Sequence, residues 1–235
     1  MLKTHQLSKS FGKIQVLNSI GVQMQQGQTV ALIGPNASGK TTFIKCLLGL
    51  VIPDQGSAEL EGVSLLHQPE ARRRIGYMPQ IGRYPDNMRI GQIFDMVRDI
   101  RGVDAGADDD LVQAFGMREL ADKRMRTLSG GTRQKVSACL AFMFGADVLI
   151  LDEPTAGLDP ISVEILKEKI WTEKQKGKLI LITSHILADL DDLATDVMFI
   201  TEGKLRFFKS IDELKQQTGE SRLNRAVAHI LRQVE

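Results

Sequence analysis

Short, nearly all-apolar segments alternate with longer amphipathic ones in the second half of the chain. The apolar segments are residues 148–151, 179–183 and 197–200, which suit strands buried on both faces of a sheet. Between them, residues 161–176 and 186–194 carry apolar positions at helical spacing. This alternation predicts a parallel sheet whose strands are connected by crossover helices.

The first third of the chain predicts a similar mixture with more strands. Apolar or alternating patterns predict a helix at residues 41–48 and strands at residues 2–7, 20–24, 28–33, 57–60 and 75–78. Gly49 and Pro53 follow the helix and would end it. The strand at 28–33 runs directly into Gly34, so a strand, a glycine-containing turn and a helix follow one another without a break.

The middle of the chain, residues 82–145, changes to a helical pattern. Apolar residues recur there at helical spacing, for example at Ile90, Ile93, Phe94 and Val97. We therefore expect an inserted helical lobe. Near the end, an apolar stripe predicts an amphipathic helix. Packing on its own domain is the favoured role of this helix, and contact with a second chain is the alternative; the stripe comprises Leu223, Ala226, Val227, Ile230, Leu231 and Val234.

Composition and charge narrow the possible classes. The 235 residues are 43% hydrophobic, which is enough for a substantial core. Basic and acidic residues number 30 and 29, and this balance argues against a nucleic-acid surface. Cys46 and Cys139 lie far apart in apolar helical segments, so we expect neither a disulfide framework nor a paired-cysteine metal site. No apolar run approaches the roughly 20 residues of a membrane span, and a cytoplasmic chain is expected.

A phosphate-binding loop follows the buried strand at 28–33. Its sequence fits the pattern Gly-x-x-x-x-Gly-Lys-Ser/Thr, from Gly34 to Thr41. Glycines let successive backbone N–H groups point at phosphate oxygens, with the dipole of the following helix behind them. Lys40 is placed to reach the β- and γ-phosphates, and the Thr41 hydroxyl to bind Mg²⁺. The loop predicts a nucleoside triphosphate site.

Two acids end the apolar strand at 148–151. Asp152 and Glu153 therefore lie at the carboxyl edge of the sheet, where ligands of α/β proteins bind. We expect Asp152 to hold Mg²⁺ through its water shell. Glu153 could accept a proton from the water that attacks the γ-phosphate, a role usually worth about 10²–10⁴ in rate.

A second helix start suited to anions lies between these two motifs. Ser129 is a natural helix N-cap, and Gly130 and Gly131 leave backbone N–H groups open. Leu128-Ser129-Gly130-Gly131, followed by Gln134 and preceding the acidic strand, resembles the signature of ABC ATPases. Further markers of that family follow in order along the chain: Phe11, Gln80, Asp159 and His185 resemble the adenine-stacking aromatic, the Q-loop glutamine, the D-loop aspartate and the switch histidine.

The resemblance implies a fold, cofactors and a set of roles. It implies a P-loop NTPase with a RecA-like core and antiparallel β subdomain (residues 1–81 and 146–209), a helical signature subdomain (82–145) and a C-terminal helical extension (210–235). ATP and Mg²⁺ are the expected cofactors. The implied roles are catalysis by Glu153, His185 and Gln80, metal binding by Thr41, Gln80 and Asp152, and nucleotide contacts from Phe11, Gly34, Pro35, Asn36, Ala37, Ser38, Gly39, Lys40, Thr41, Thr42, Ser129, Gly130, Gly131 and Asp159.

The family resemblance also implies partners. They are a second copy of the chain in a head-to-tail dimer and an integral membrane permease that holds the ATPase at the cytoplasmic face, with no nucleic acid. The sequence is most similar to ABC-2-type exporters, and among them to NosF-type subunits. That group serves copper-site maturation of nitrous oxide reductase and would add a periplasmic accessory protein. One residue departs from the family pattern, because Ala37 stands where glycine is usual.

Two other classes are open to a chain with these motifs. An ABC ATPase acting on nucleic acid or ribosomes would typically carry a long coiled-coil insertion, tandem cassettes or a basic surface, and this sequence has none of them. A P-loop kinase of small molecules would need neither the glycine pair after Ser129 nor a separate base at Glu153. The transport motor is therefore the favoured interpretation.

The segment after Gln80 is expected to transmit motion. Gly82 and Pro85 suit a hinge beside an amide that could sense the γ-phosphate. The following apolar residues are expected mainly to pack within the helical lobe, and any that stay exposed would form a groove for a short permease helix; they are Tyr84, Met88, Ile90 and Phe94.

Overall fold

The computed structural model describes residues 1–102, 107–184 and 190–234. Its strands are β1 (Leu2–Phe11), β2 (Ile14–Met24), β3 (Thr29–Ile33), β4 (Gln55–Leu60), β5 (Val63–Ser64), β6 (Ile75–Met78), β7 (Val148–Asp152), β8 (Leu179–Thr183), β9 (Asp196–Thr201) and β10 (Lys204–Ser210). Its α-helices are α1 (Lys40–Leu47), α2 (Pro69–Arg72), α3 (Ile90–Arg101), α4 (Asp110–Ala114), α5 (Gly130–Phe142), α6 (Pro160–Gln175), α7 (Ile211–Thr218) and α8 (Leu223–Val234).

The strands form two sheets. The larger has the order β10-β9-β3-β8-β7-β6, and its members are parallel except for β10, which returns beside β9 as a hairpin. The smaller sheet is antiparallel, in the order β2-β1-β4-β5. The predicted α/β fold, with a parallel sheet and an antiparallel β subdomain, is confirmed.

The larger sheet is buried on both faces. Along β3, Val30 and Leu32 belong to one apolar cluster, with α1 and the small sheet, whereas Ala31 and Ile33 belong to another, with α5 and α6. Alternate side chains of a strand point to opposite faces, so a continuous apolar run is what a two-sided strand requires. Helices α3, α4 and α5 lie in the segment expected to form a helical lobe.

The helix at the end of the chain packs on its own domain, as predicted. Leu223, Ala226, Val227 and Ile230 are buried in the cluster that also holds α5 and α6. The side chains of Leu231 and Val234 lie outside the described part of the chain. Among the described residues, no helix combines the length and apolarity that crossing a bilayer requires.

One expectation needs correction. The sequence pattern predicts the end of a helix at residues 190–194, but residue 190 is in 3₁₀ conformation and residues 191–193 form turns before β9. Residues 185–189 lie outside the described ranges. Ile90 and Phe94 are buried in the core, which agrees with the expectation that the apolar residues after Gln80 pack mainly within the lobe. Tyr84 and Met88 pack against the same core while staying partly exposed, and the Tyr84 hydroxyl is 2.8 Å from the hydroxyl of Ser137 on α5.

Candidate nucleotide-binding site

The phosphate loop is held tightly against its surroundings. Gly34 follows β3 with φ 153°, and a Cβ added there would lie 2.0 Å from the carbonyl oxygen of Ile200. Gly39 precedes α1 with φ 107°, and a Cβ there would lie 2.7 Å from the carbonyl oxygen of Val16. Both positions therefore require glycine, for the close approach as well as for the backbone conformation.

Ala37, where the sequence departs from the family pattern, has φ 60°. This is the left-handed region, in which a Cβ costs roughly 1 kcal/mol or more. Glycine would adopt this φ without a Cβ penalty. The departure from the family pattern therefore has an energetic cost.

A cleft lies between the loop and the carboxyl ends of two neighbouring strands. Gln80 follows β6, whereas Asp152 ends β7 and Glu153 follows it. The strands pair in register, with Met78 opposite Leu151, so the three polar side chains reach the same edge of the sheet. The cleft is lined by Ile14, Val16, Asn36, Ala37, Ser38, Gly39, Lys40, Thr41, Thr42, Gln80, Asp152 and Glu153.

Lys40 is folded back onto its own loop. Its Nζ atom donates to the carbonyl oxygens of Gly34 at 2.7 Å and of Pro35 at 2.9 Å. Burial lowers the pKa of Lys40, while the negative charges of Glu153 and Asp152 oppose that shift. The Lys40 ammonium group is thus partly desolvated and already bound to oxygen acceptors. Phosphate oxygens of a nucleotide can replace the carbonyl oxygens of Gly34 and Pro35 as its acceptors.

Asp152 is buried and fixed by a neighbouring strand. Its Oδ1 atom accepts a hydrogen bond of 2.6 Å from the hydroxyl of Thr183, the last residue of β8. The cleft can offer a metal ion three oxygen ligands, all of them hard donors: the Asp152 carboxylate, the Thr41 hydroxyl and the oxygen of the Gln80 amide. Among the described residues, no group of three or more His, Cys, Asp or Glu side chains is arranged to hold a metal ion. This donor set fits Mg²⁺, which takes one or two carboxylates and completes its shell with water and substrate phosphates.

Glu153 has an unusual backbone. Its φ is 51°, a left-handed conformation that is costly for a residue with a Cβ and persists only where the surroundings hold it. Its N–H donates to the Thr183 hydroxyl at 2.9 Å, and its carbonyl accepts from the side-chain amide of Gln134 at 3.3 Å. The carboxylate-bearing residue is thus fixed from two sides.

Thr183 also contributes to the site, although it belongs to none of the sequence motifs. Its hydroxyl contacts the side chain of Asp152 and the backbone of Glu153, so one group orients both acids. A signal for it exists in the sequence, since a single hydroxyl residue ends the apolar strand β8 at the carboxyl edge of the sheet.

The signature residues lie away from the cleft lining. Ser129 caps α5 by accepting from the Thr132 N–H at 3.2 Å, and both Ser129 and Gly130 are exposed. Asp159 caps α6 and accepts from the Ser162 backbone at 3.0 Å. Hydrogen bonds from Ser162 and from Lys135 lower the pKa of Asp159. Gly131 and Asp159 likewise do not line the cleft, so the structure does not bring these four residues to the phosphate loop of their own chain.

Three other predicted contacts differ in placement. Phe11 ends β1 half-exposed, outside the cleft lining, with the Nζ of Lys9 5.5 Å from the ring centroid. Gly34 and Pro35 contribute carbonyls to Lys40 rather than cleft surface. His185 lies outside the described residues.

Comparisons with known proteins agree with this geometry. A family model described as ABC transporter matches residues 17–156. The lantibiotic transport ATP-binding protein SrtF of Streptococcus pyogenes is 34% identical over 212 residues, which is 90% of this chain and 92% of that protein.

Solved structures share the fold across nearly the whole chain. An ATP-binding subunit of an ABC transporter matches with a TM-score of 0.89 and 26% identity, covering 98% of this chain and 99% of the other. A dimeric ATP-binding cassette in a post-hydrolysis state, bound to ADP and Pi, matches with a TM-score of 0.79 and 18% identity, covering 90% and 99%.

Proposed function

This chain belongs to the ABC transporter family and is an ATPase of that family, and from this premise we propose that it is the motor subunit of a transporter. In this proposal ATP closes a dimer of two such chains, hydrolysis reopens it, and a separate membrane permease converts the motion into transport. The supporting observation is that one chain carries two anion-binding helix starts which do not meet: one at Gly39 and Lys40 in the cleft, and one at Ser129 and Gly130 outside it.

A two-fold dimer explains both helix starts. The exposed Ser129 and Gly130 at the start of α5 are available to the triphosphate bound by another chain, and a symmetric pair satisfies both sites at once. Each site would then combine the phosphate loop of one chain with Ser129 and Gly130 of the other. In this proposal Asp159 and Phe11 also contact nucleotide in the closed dimer.

For hydrolysis we assign tasks to the polar groups of the site. Backbone N–H groups of the phosphate loop and Lys40 hold the phosphates, while Thr41, Gln80 and Asp152 would hold Mg²⁺. When bound, that ion neutralises charge on the phosphate oxygens. Glu153 accepts a proton from the attacking water, and Gln80 and His185 sense the γ-phosphate.

The permease places the ATPase at the cytoplasmic face of the membrane. Its docking surface is proposed beside Gln80, where Arg83 and Asn87 are exposed. A narrower proposal, that the transporter serves copper-site maturation of nitrous oxide reductase with a periplasmic accessory protein, is supported by the resemblance to NosF-type subunits alone. It predicts that cells lacking this chain make that enzyme without complete copper centres.

Two substitutions separate nucleotide binding from hydrolysis. Lys40→Ala should weaken ATP binding, because the γ-phosphate loses its cation. Glu153→Gln should bind ATP normally yet turn over at least about a hundredfold more slowly, because it removes the base and keeps the shape. Equilibrium binding of a fluorescent ATP analogue and steady-state phosphate release measure the two effects. An equal loss of nucleotide binding in both variants would show that Glu153 is structural and that the base lies elsewhere.

A further inference from the structure

The first turns of α5 are docked on the loop that carries Glu153. Three contacts join them within one chain. The side-chain amide of Gln134 reaches the loop at its start, the Cα of Gly131 approaches the Gly157 carbonyl, and Lys135 forms an ion pair of 3.0 Å with Asp159 at the loop's end. The approach at Gly131 is close enough that an added Cβ would lie 2.7 Å from the Gly157 oxygen.

Gln134 is the buried member of this contact. Its residue is 4% exposed, and its Nε2 atom lies 3.3 Å from the Glu153 carbonyl oxygen and 3.5 Å from the Pro154 carbonyl oxygen. Both neighbours can only accept, so the amide must present its NH₂ group to them. A buried amide directed at two successive carbonyls fixes the peptide between Glu153 and Pro154 from one side.

The opposite side of the same residue is fixed by β8. The Glu153 N–H is bound by the Thr183 hydroxyl, so the two backbone polar groups of Glu153 are tied to different elements. Glu153 needs this support because its φ of 51° is a strained, left-handed conformation. A residue with a Cβ leaves that conformation when its surroundings do not hold it there. Misplacing a catalytic group by about 1 Å can lower a rate about a hundredfold.

We infer that Gln134 is a positioning residue, which holds the Glu153 backbone so that its carboxylate meets the attacking water. The inference rests on the proposed role of Glu153 as the base. It assigns to α5 a task within its own chain that is separate from the proposed contact of Ser129 with a partner's nucleotide. Loss of the Gln134 amide should therefore slow turnover while leaving nucleotide binding intact.

The test compares Gln134→Met with Ser137→Ala in the full-length chain. Methionine matches glutamine in length and lacks the donor. Ser137 lies one turn further along α5 and is equally buried. Its hydroxyl contacts Tyr84 and not the loop that carries Glu153. We expect Gln134→Met to lower kcat about tenfold or more, with the KM for ATP and the affinity for a fluorescent ATP analogue within about twofold of wild type. Ser137→Ala should keep the kcat of wild type.

Two results would overturn the inference: a kcat within twofold of wild type in Gln134→Met, or a loss of ATP affinity as large as the loss of kcat. If the thermal midpoint of Gln134→Met falls below the assay temperature, Gln134→Asn takes its place with the same two outcomes, since it keeps the amide but withdraws it by one carbon. Glu153→Gln is measured beside them. Full turnover in that variant would refute the assignment of the base, whereas a dead Glu153→Gln with an active Gln134→Met refutes only the positioning role.

Discussion

Replacing Ala37 by glycine should stabilise the protein. Ala37 has φ 60° in the phosphate loop and is exposed, so its methyl group strains the backbone and contributes little packing. Glycine adopts this conformation without a Cβ penalty. Most single substitutions in a loop that binds ligand are expected to be neutral or destabilising, which makes the sign of this change informative.

The magnitude follows from two opposing terms. Relief of the left-handed conformation returns roughly 1–2 kcal/mol. The greater freedom of glycine in the unfolded chain costs roughly 0.4–1 kcal/mol. With the middle of each range, the net gain is about 0.8 kcal/mol, which for a domain of this size raises the thermal midpoint by about 2–3 °C.

Thermal unfolding without nucleotide, followed by circular dichroism, measures the shift. Ala114→Gly is the matched control, because Ala114 is exposed, ends α4 and has a negative φ. There glycine gains no strain relief and should lower stability by up to about 1 kcal/mol. A fall of the midpoint in Ala37→Gly equal to that in Ala114→Gly would refute the conclusion that the loop is strained at this residue.

The remaining predictions concern pH and docking. Burial would raise the pKa of Glu173, but hydrogen bonds from Lys176 and Lys178 and the charge of Lys169 lower it from 4.5 to about 2. This pKa is depressed in the folded state, so its stabilisation is present above about pH 4.5 and is lost as the pH falls towards 2. Glu173→Gln should therefore lose less stability than wild type between pH 6 and pH 3 in urea unfolding, and an equal loss would contradict the assignment. Cysteines at the exposed Arg83 and Asn87 should crosslink to the permease, whereas Arg225→Cys on α8 should not, and the natural Cys46 and Cys139 are buried. Crosslinks from Arg225→Cys alone would move the docking surface to α8.

Much of the fold could be predicted from pattern alone. Strands β6 and β8 have the predicted bounds, because apolar strands buried on both faces end where the apolar run ends. The hairpin of β1 and β2 is longer than predicted, since its outer parts are half-exposed and carry polar residues such as Ser8 and Gln15. Ile90 and Phe94 show the limit of periodicity, which identifies an apolar helix face but not the surface that covers it.

The candidate site also contains residues that could be placed from the sequence and contacts that could not. The phosphate loop and the two acids are contiguous in sequence, so spacing and strand position were sufficient to place them at one edge of the sheet. Thr183 and Gln134 act on Glu153 from 30 and 19 residues away along the chain. The sequence marks Thr183 as the hydroxyl residue that ends β8 and Gln134 as part of the signature, but which backbone groups they bind depends on how β8 and α5 pack.

The central claim, a motor that ATP closes into a dimer, is tested most directly by light scattering on Glu153→Gln with Mg²⁺ and ATP. We expect twice the 26.0 kDa mass of one chain, because bound ATP completes both composite sites and slow hydrolysis preserves them. The same variant without nucleotide, and Lys40→Ala with ATP, should show the mass of one chain. A Glu153→Gln protein that binds ATP and stays monomeric, beside a wild type that hydrolyses ATP at full rate as a monomer, would contradict the account.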